Sequence, residues 1–251
     1  MPRLTPRPRS DASVAAAPFL IAQTLGAARL TLGDILIGAN AGMLFPLLVR
    51  LLFSPGMSVS RGALLNELWP TLPEERRRGN LRQALYKLRG MGLNVAMFGD
   101  DVKLDRSQVG RTFCVDRSTD LFERDVLTGH EPLGPFLAGW TASTAEYQQW
   151  VEHARETVHA DVRRVLVEHL RGKRELADWT TAETIARWLL QFDPLNEEAT
   201  LTLAECTMMS GAKVEAVAIL DRYLADLGPG AGDIRLPATQ LRRRFMEPPT
   251  R

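Results

Sequence analysis

Apolar and polar residues alternate over Phe19 to Leu25 and Arg29 to Ile37, interrupted at Gly26 and Gly33, and this period of two predicts short strands. The spacing then changes. Met43 to Phe53 reads as a helix closed by the turn Ser54, Pro55, Gly56, and VSRGALLNELWP follows with Ser60 as N-cap, Ala63, Leu64, Leu65 and Leu68 as a buried face, and Pro70 as a stop. Thr71 to Glu74 reads as a Thr-x-x-Glu capping box opening a third helix over residues 73–90. Next come two short apolar runs around Gly99, Asp100 and Asp101, the signature of a tight hairpin. Strands, three helices and a terminal hairpin are the order of a winged helix, whose third helix enters the major groove and whose wing lies near the phosphate backbone.

The third helix, EERRRGNLRQALYKLR from Glu74 to Arg89, packs six basic side chains around a line of leucines. Rotation by about 100° per residue gathers Leu81, Ala84, Leu85 and Leu88 on one side. The other side holds Gly79, Gln83, Tyr86 and Gly90, flanked by Arg76, Arg82, Lys87 and Arg89. A glycine inside a helix costs about 1 kcal/mol relative to alanine, so two on the outward side point to close approach of another surface. Gln pairs with adenine, Arg with guanine, and Tyr or Lys reaches phosphate. Arg82 and Gln83 are therefore the expected base readers, and Arg76, Arg78, Tyr86, Lys87 and Arg89 complete the expected DNA-binding set. Arg77 falls on the core side, where a local structural role is expected.

Beyond residue 110 the pattern is helical. Ala145 to Arg171 carries Tyr147, Trp150, Val151, Ala154, Val158, Val162, Val165 and Leu166 at helical spacing, in one long helix or two nearly joined. Two shorter helices are expected over ADWTTAETIARWLLQFDP and NEEATLTLAECTMMSGAKVEAVAILDRYLADLG. With Pro194 closing one tetratricopeptide unit of about 34 residues, Leu203, Ala204, Ala216 and Leu220 occupy the core positions of the next, and Ala182 precedes Ala216 by one period. GPGAG at Gly228 to Gly232 reads as a flexible joint to a last segment, IRLPATQLRRRF.

Charge sharpens this division. Residues 1–110 hold 14 Lys and Arg against 8 Asp and Glu, a balance of +6, and the remainder holds 17 against 22, a balance of −5. The +1 of the whole chain thus joins a basic half to an acidic one, which implies different partners for each. At 45% hydrophobic and 24% charged the composition is that of an ordinary globular chain. The longest apolar run, Met43 to Phe53, is interrupted by Pro46 and Arg50 and falls short of the roughly 20 residues of a membrane span. The MPRLTPRPRS terminus lacks an apolar signal core, so a cytoplasmic location, a disordered tail over residues 1–18 and no membrane partner are expected.

Chemistry-bearing motifs are sparse. Cys114 and Cys206 have no ligand spacing around them and read as buried reduced thiols. Of His130, His153, His159 and His169, the last three lie along one helix at spacings of six and ten, which gives no shared i,i+4 ligand face. There is no HExxH, no GxSxG and no GxxxxGK[ST] loop, so neither an ATPase segment nor an enzyme is expected, and no cofactor or metal.

From Leu64 to Leu88, with ELWP followed by NLRQALYKLR, the chain resembles the OmpR-type winged helix of the SARP family of bacterial transcriptional activators. From about Cys114 to Leu227 it resembles the bacterial transcriptional activator domain that follows it there, through VDRSTDLFERD, PFLAGW, EYQQWVEHAR, Asp178-Trp179 and ARWLLQFDPLNEEA. The resemblance implies a mainly α protein: an N-terminal winged helix-turn-helix with a small β-sheet and wing over residues 19–110, a tetratricopeptide-like all-α domain over 111–228, and a tail over 229–251. It implies an activator that binds promoter repeats and recruits RNA polymerase, with Leu81, Leu85 and Leu88 in the core and Arg82, Gln83, Tyr86 and Lys87 on the DNA side. Pairing of two copies on DNA stays open, since no heptad or exposed apolar stripe marks a dimer surface. A second reading is a protein-interaction adaptor whose helical half binds a partner and whose winged helix serves as a docking module.

Overall fold

The computed structural model describes residues 19–122, 124 and 134–247. The expected 1–18 tail and the His130 assignment lie outside them. Three strands open the fold: β1 (Leu20–Gln23), β2 (Arg29–Leu32) and β3 (Ile35–Ile37), paired antiparallel in that order. The register Leu20 to Leu32 and Ala22 to Leu30 puts alternate apolar side chains into the core. Gly33 takes a φ of +56° at the first residue of the β2–β3 turn, a conformation cheap only for glycine.

Helix α1 (Leu44–Leu52) accommodates Pro46 in its first turn, where the missing N–H costs no intrahelical bond. Strand β4 (Ser58–Ser60) leads into α2 (Arg61–Leu68), whose N-cap is Ser60, accepting from the Ala63 amide at 3.2 Å. Helix α3 (Glu74–Gly90) follows, and then the hairpin of β5 (Val95–Phe98) and β6 (Asp101–Leu104), with β6 paired to β4 as well. Gly99, at φ +60°, supplies the hairpin turn.

One expected detail is overturned. Thr71 does not cap α3: the N-cap is Pro73, no side chain caps the helix, and Glu74 is its first residue. The cause is steric, because a residue before proline is pushed out of the helical region, so Leu72 cannot belong to the helix that a cap at Thr71 requires. Glu74 instead pairs with Arg78 one turn on.

After two single-turn helices, α4 (Phe113–Asp116) and α5 (Thr119–Phe122), the long segment is one helix, α6 (Ala145–Glu175), capped by Thr144. It packs on α7 (Trp179–Phe192), which packs on α8 (Glu197–Met209), which packs on α9 (Lys213–Leu227). The last expected helix is thus two, divided after Ser210 by Gly211 at φ +88°. Leu203, Ala204, Ala216 and Leu220 are all buried, as is Ala182.

The expected flexible joint and C-terminal tail are also corrected. Gly228 and Gly232 turn the chain with positive φ, and Leu236–Met246 forms α10. Its Ala238, Leu241 and Phe245, spaced i, i+3, i+7, bury against Ala204, Ala216, Leu220 and Tyr223 in a second apolar cluster.

Between the winged helix and the helical stack there is no gap in packing, since one cluster runs from Leu20 to Leu203. Phe45, Trp140, Tyr147 and Trp150 form a relay of rings with centroids 5.1–5.6 Å apart across the seam. The Tyr147 hydroxyl donates to the Pro46 carbonyl at 2.7 Å. Arg50 forks onto Glu67 at 2.7 and 3.1 Å while lying 4.8 Å over the Trp150 ring. Bridges from Leu25 to Phe136 and from Ala27 to Ala138 bring the segment after Gly134 onto the first sheet. Among the described residues, no helix is long and apolar enough to cross a membrane.

Candidate nucleic-acid interface

Helix α3 is held by the side the wheel predicts: Leu81, Ala84, Leu85 and Leu88 are buried and every intervening residue from Arg82 to Arg89 is exposed. Arg76, Arg78, Arg82, Gln83, Tyr86, Lys87 and Arg89 all stand in solvent, and Tyr86 leaves 76% of its surface there. Glu74 and Glu75 in the first turn and Lys87 and Arg89 in the last match the helix dipole, so the acids gather at one end of the helix.

These seven are not equally available. The Arg78 guanidinium is engaged by Glu74, and Arg82 Nε makes only a long 3.4 Å bond to the Arg78 carbonyl. Arg89 Nε donates to the Val95 carbonyl at 2.8 Å, which ties the end of α3 to the first wing strand and fixes that side chain's direction. Arg76, Arg82 and Lys87 have no acidic partner among the described residues. Arg77, expected to act locally, donates to the Asn66 side-chain oxygen at 2.8 Å and so fastens α3 to α2.

The two outward glycines stand in open space: a Cβ added at Gly79 or Gly90 meets no heavy atom within 4 Å. Nothing among the described residues therefore requires glycine at either position. The sequence reading placed the wing near the phosphate backbone but named no residue of it. Phe98 is 72% exposed, and it lies on the outer side of the sheet because Val95 and Leu104 take the inner side of the same register. VAMF is apolar throughout, so its outward side shows only once Val95 is seen to face inward. Asp100 at the wing tip forms an ion pair with Arg61 at 2.8 Å, and Asp101, which keeps its charge, accepts from Ser58.

Elsewhere, Cys206 is buried, which pushes its thiol pKa up, and half-buried Cys114 accepts from the Thr24 amide at 3.3 Å. His153 and His159 are exposed and His169 is buried against Phe122. Among the described residues no three His, Cys, Asp or Glu side chains converge on a common point.

No family model matches this chain, and no curated protein does. Among solved structures it is similar to Mycobacterium tuberculosis EmbR in complex with a low-affinity phosphopeptide, with a TM-score of 0.56 at 14% identity, over 91% of this chain and 68% of that one. At that identity the likeness is one of fold: a small antiparallel sheet region followed by a helical part.

Proposed function

We propose that the chain is a DNA-binding transcriptional regulator that inserts α3 into the major groove of promoter repeats and, as an activator, recruits RNA polymerase through its helical half. One observation carries this reading. The winged-helix elements bury one side of α3 and leave the opposite side with unopposed Arg76, Arg82 and Lys87 around Gln83 and Tyr86. A helix kept only for packing would have no need of cations without acids. Arg82 and Gln83 read base edges; Arg76, Tyr86, Lys87 and Arg89 grip phosphates, with Arg78 drawn in when Glu74 releases it. The fold shared with EmbR supports a regulator role in coarse terms, and it supports the two-part order that the resemblance to SARP activators implies.

The test begins with selection of bound duplexes from genomic fragments, followed by titration of the recovered site at several salt concentrations. Wild type is expected to bind with a steep salt dependence. The Arg82→Ala, Lys87→Ala double variant should lose affinity and show a salt slope shallower by about one phosphate contact. If wild type has no measurable duplex affinity at low salt yet the helical half captures RNA polymerase, the adaptor reading replaces this one.

A further inference from the structure

The first sheet ends in an open edge. Strand β3 is its last, and among the described residues no strand or bridge pairs with the outer side of β3. The Gly33 amide donates to the Phe19 carbonyl at 3.1 Å, so Gly33, and Thr31 by alternation, turn their backbone groups toward β1. Leu30 and Leu32 then turn theirs toward β3, where they meet Ile37 and Ile35. Leu36, between those two, is left with its N–H and C=O directed away from the sheet.

The side chains of the same strand are unevenly covered. Leu36 is 64% exposed, in one outward row with Thr31 and the exposed Ile21. Ile35 lies on the core side opposite the buried Leu32, yet it is 46% exposed, whereas Ile37 on that same side is buried. Natural sheet edges are commonly guarded by lysine, proline or a bulge, or kept very short. The Ile-Leu-Ile of β3 contains neither lysine nor proline, and its length of three residues is the one guard it has.

We propose that β3 pairs with β3 of a second copy of this chain, antiparallel about a two-fold axis at Leu36, which joins two three-stranded sheets into one. In that register Leu36 meets Leu36 of the second copy, and the two exchange both of their outward backbone bonds. On the core side Ile35 meets Ile37 of the second copy, and the axis repeats that contact. A single placement therefore satisfies the free backbone groups and covers both exposed side chains, because the strand reads alike in either direction. The signs of charge agree as well. Asp34 comes opposite Gly38 of the second copy, and the β2–β3 register, continued by one pair, sets Gly38 beside Arg29 on the same outward side. Arg29 also interacts within its own chain, so this is complementarity of sign and is not counted as a bond. A contact of three residues from each copy is small and belongs with transient association. It lies apart from α3 and stands or falls independently of the DNA-binding reading.

The experiment uses the full chain, freed of nucleic acid by nuclease, in sedimentation velocity over a rising series of concentrations. The expected result is a monomer–dimer equilibrium that moves toward dimer along the series. Leu36→Lys sets two like charges face to face at the axis and should weaken the dimer by at least about tenfold. Val214→Lys, the same change at an exposed position of α9, should leave it unchanged. Cross-linking adds a geometric readout, since the Cα atoms of a backbone-bonded antiparallel pair are about 5.5 Å apart, within the span of a disulfide. Leu36→Cys should therefore form a covalent dimer under mild oxidation, while Val214→Cys stays at the background set by Cys114 and Cys206. A chain that is monomeric throughout the series, a dimer indifferent to Leu36→Lys, or equal cross-linking at the two positions overturns the proposal. Should Leu36→Lys fail to fold, as circular dichroism would reveal, the cross-linking of Leu36→Cys decides.

Discussion

Helices α3 and α6 are both arginine-rich, and they use the residue in opposite ways. On α6, Arg155 donates to three backbone carbonyls, of Phe136, Leu137 and Trp140, at 3.1–3.2 Å. Arg163 reaches Asp193, Arg171 reaches Glu198 and Arg174 reaches Glu205, each on a neighbouring helix or the turn beside it. Among the described residues, on α3 only Arg78 has a carboxylate, one turn away on its own helix, while Arg76, Arg82 and Lys87 have none. A count of positive charge would rank the two helices together. What separates them is the distribution of acids: the helical half places Asp and Glu opposite the arginines of α6, whereas on α3 the acids stand only in the first turn, at Glu74 and Glu75. Unopposed cations mark a surface awaiting an anion, whereas opposed ones fasten the fold.

That contrast can be broken at either end. The largest effect is expected on α6: Arg155→Ala strands three partly buried carbonyls and should cost about 3 kcal/mol of stability, read as a lower midpoint in urea unfolding, with duplex affinity per folded molecule unchanged. A stability loss below the error of the fit would mean that solvent replaces the guanidinium and that α6 is no different from α3. Next in size is the Arg82→Ala, Lys87→Ala variant, for which the contrast demands the reverse pattern. Affinity for the selected duplex should fall by roughly ten- to a hundredfold, while the unfolding midpoint moves by no more than about 0.5 kcal/mol. Equal stability losses in the two experiments would erase the distinction.

Gly79→Ala sharpens the comparison further because its two effects should have opposite signs. With open space around the new methyl group, the helix should gain up to about 1 kcal/mol, while close approach of a duplex backbone is obstructed and binding weakens. A variant that is both more stable and equally tight in a mobility-shift titration would show that the duplex does not come near Gly79. The smallest effect concerns the seam. Burial pushes the Tyr147 hydroxyl well above its ordinary pKa of 10.0. A raised folded-state pKa leaves its contribution intact below that ordinary value and removes it as pH rises further, so chemical-denaturation stability should fall above about pH 10. Tyr147→Phe should lose part of that alkaline slope and cost about 1 kcal/mol at neutral pH through the missing bond to Pro46. An unchanged slope would assign the alkaline loss to other groups.

The division of α3 into a buried and an exposed side was legible because a helix of this length repeats its period often enough for four apolar positions to align. Its start was not, since the capping signature at Thr71 and Glu74 competes with Pro73, and a local steric rule outweighs a side-chain hydrogen bond. Helix α10 was concealed in a different manner. Gly228 to Gly232 read as a flexible joint and IRLPATQLRRRF as a tail beyond it, although Ala238, Leu241 and Phe245 were already spaced to pack. The tie from Arg89 to Val95 needs the wing folded back, and the Tyr147 to Pro46 bond spans 101 positions, so no window of sequence contains it. Exposure of the seven expected interface residues could be read from the wheel, but which of them keep free charge could not, because that depends on where Glu74 and the wing strand come to lie.

The Tyr147 to Pro46 bond and the Thr144 bond to the Glu67 carbonyl, 77 positions apart, also set an order of events during synthesis. Chain that has emerged only as far as the wing contains all of α1, α2 and α3, yet it lacks the helix that covers the outer side of α2. Closing loops of that length is slow compared with forming a helix or a hairpin, so the core of the winged helix is completed late. Until α6 docks, the basic side of α3 is carried on a partly open scaffold. The positive surface of α3 thus lies wholly within the first 90 residues, whereas bonds that brace α1 and α2 behind it come from residues 144 and 147.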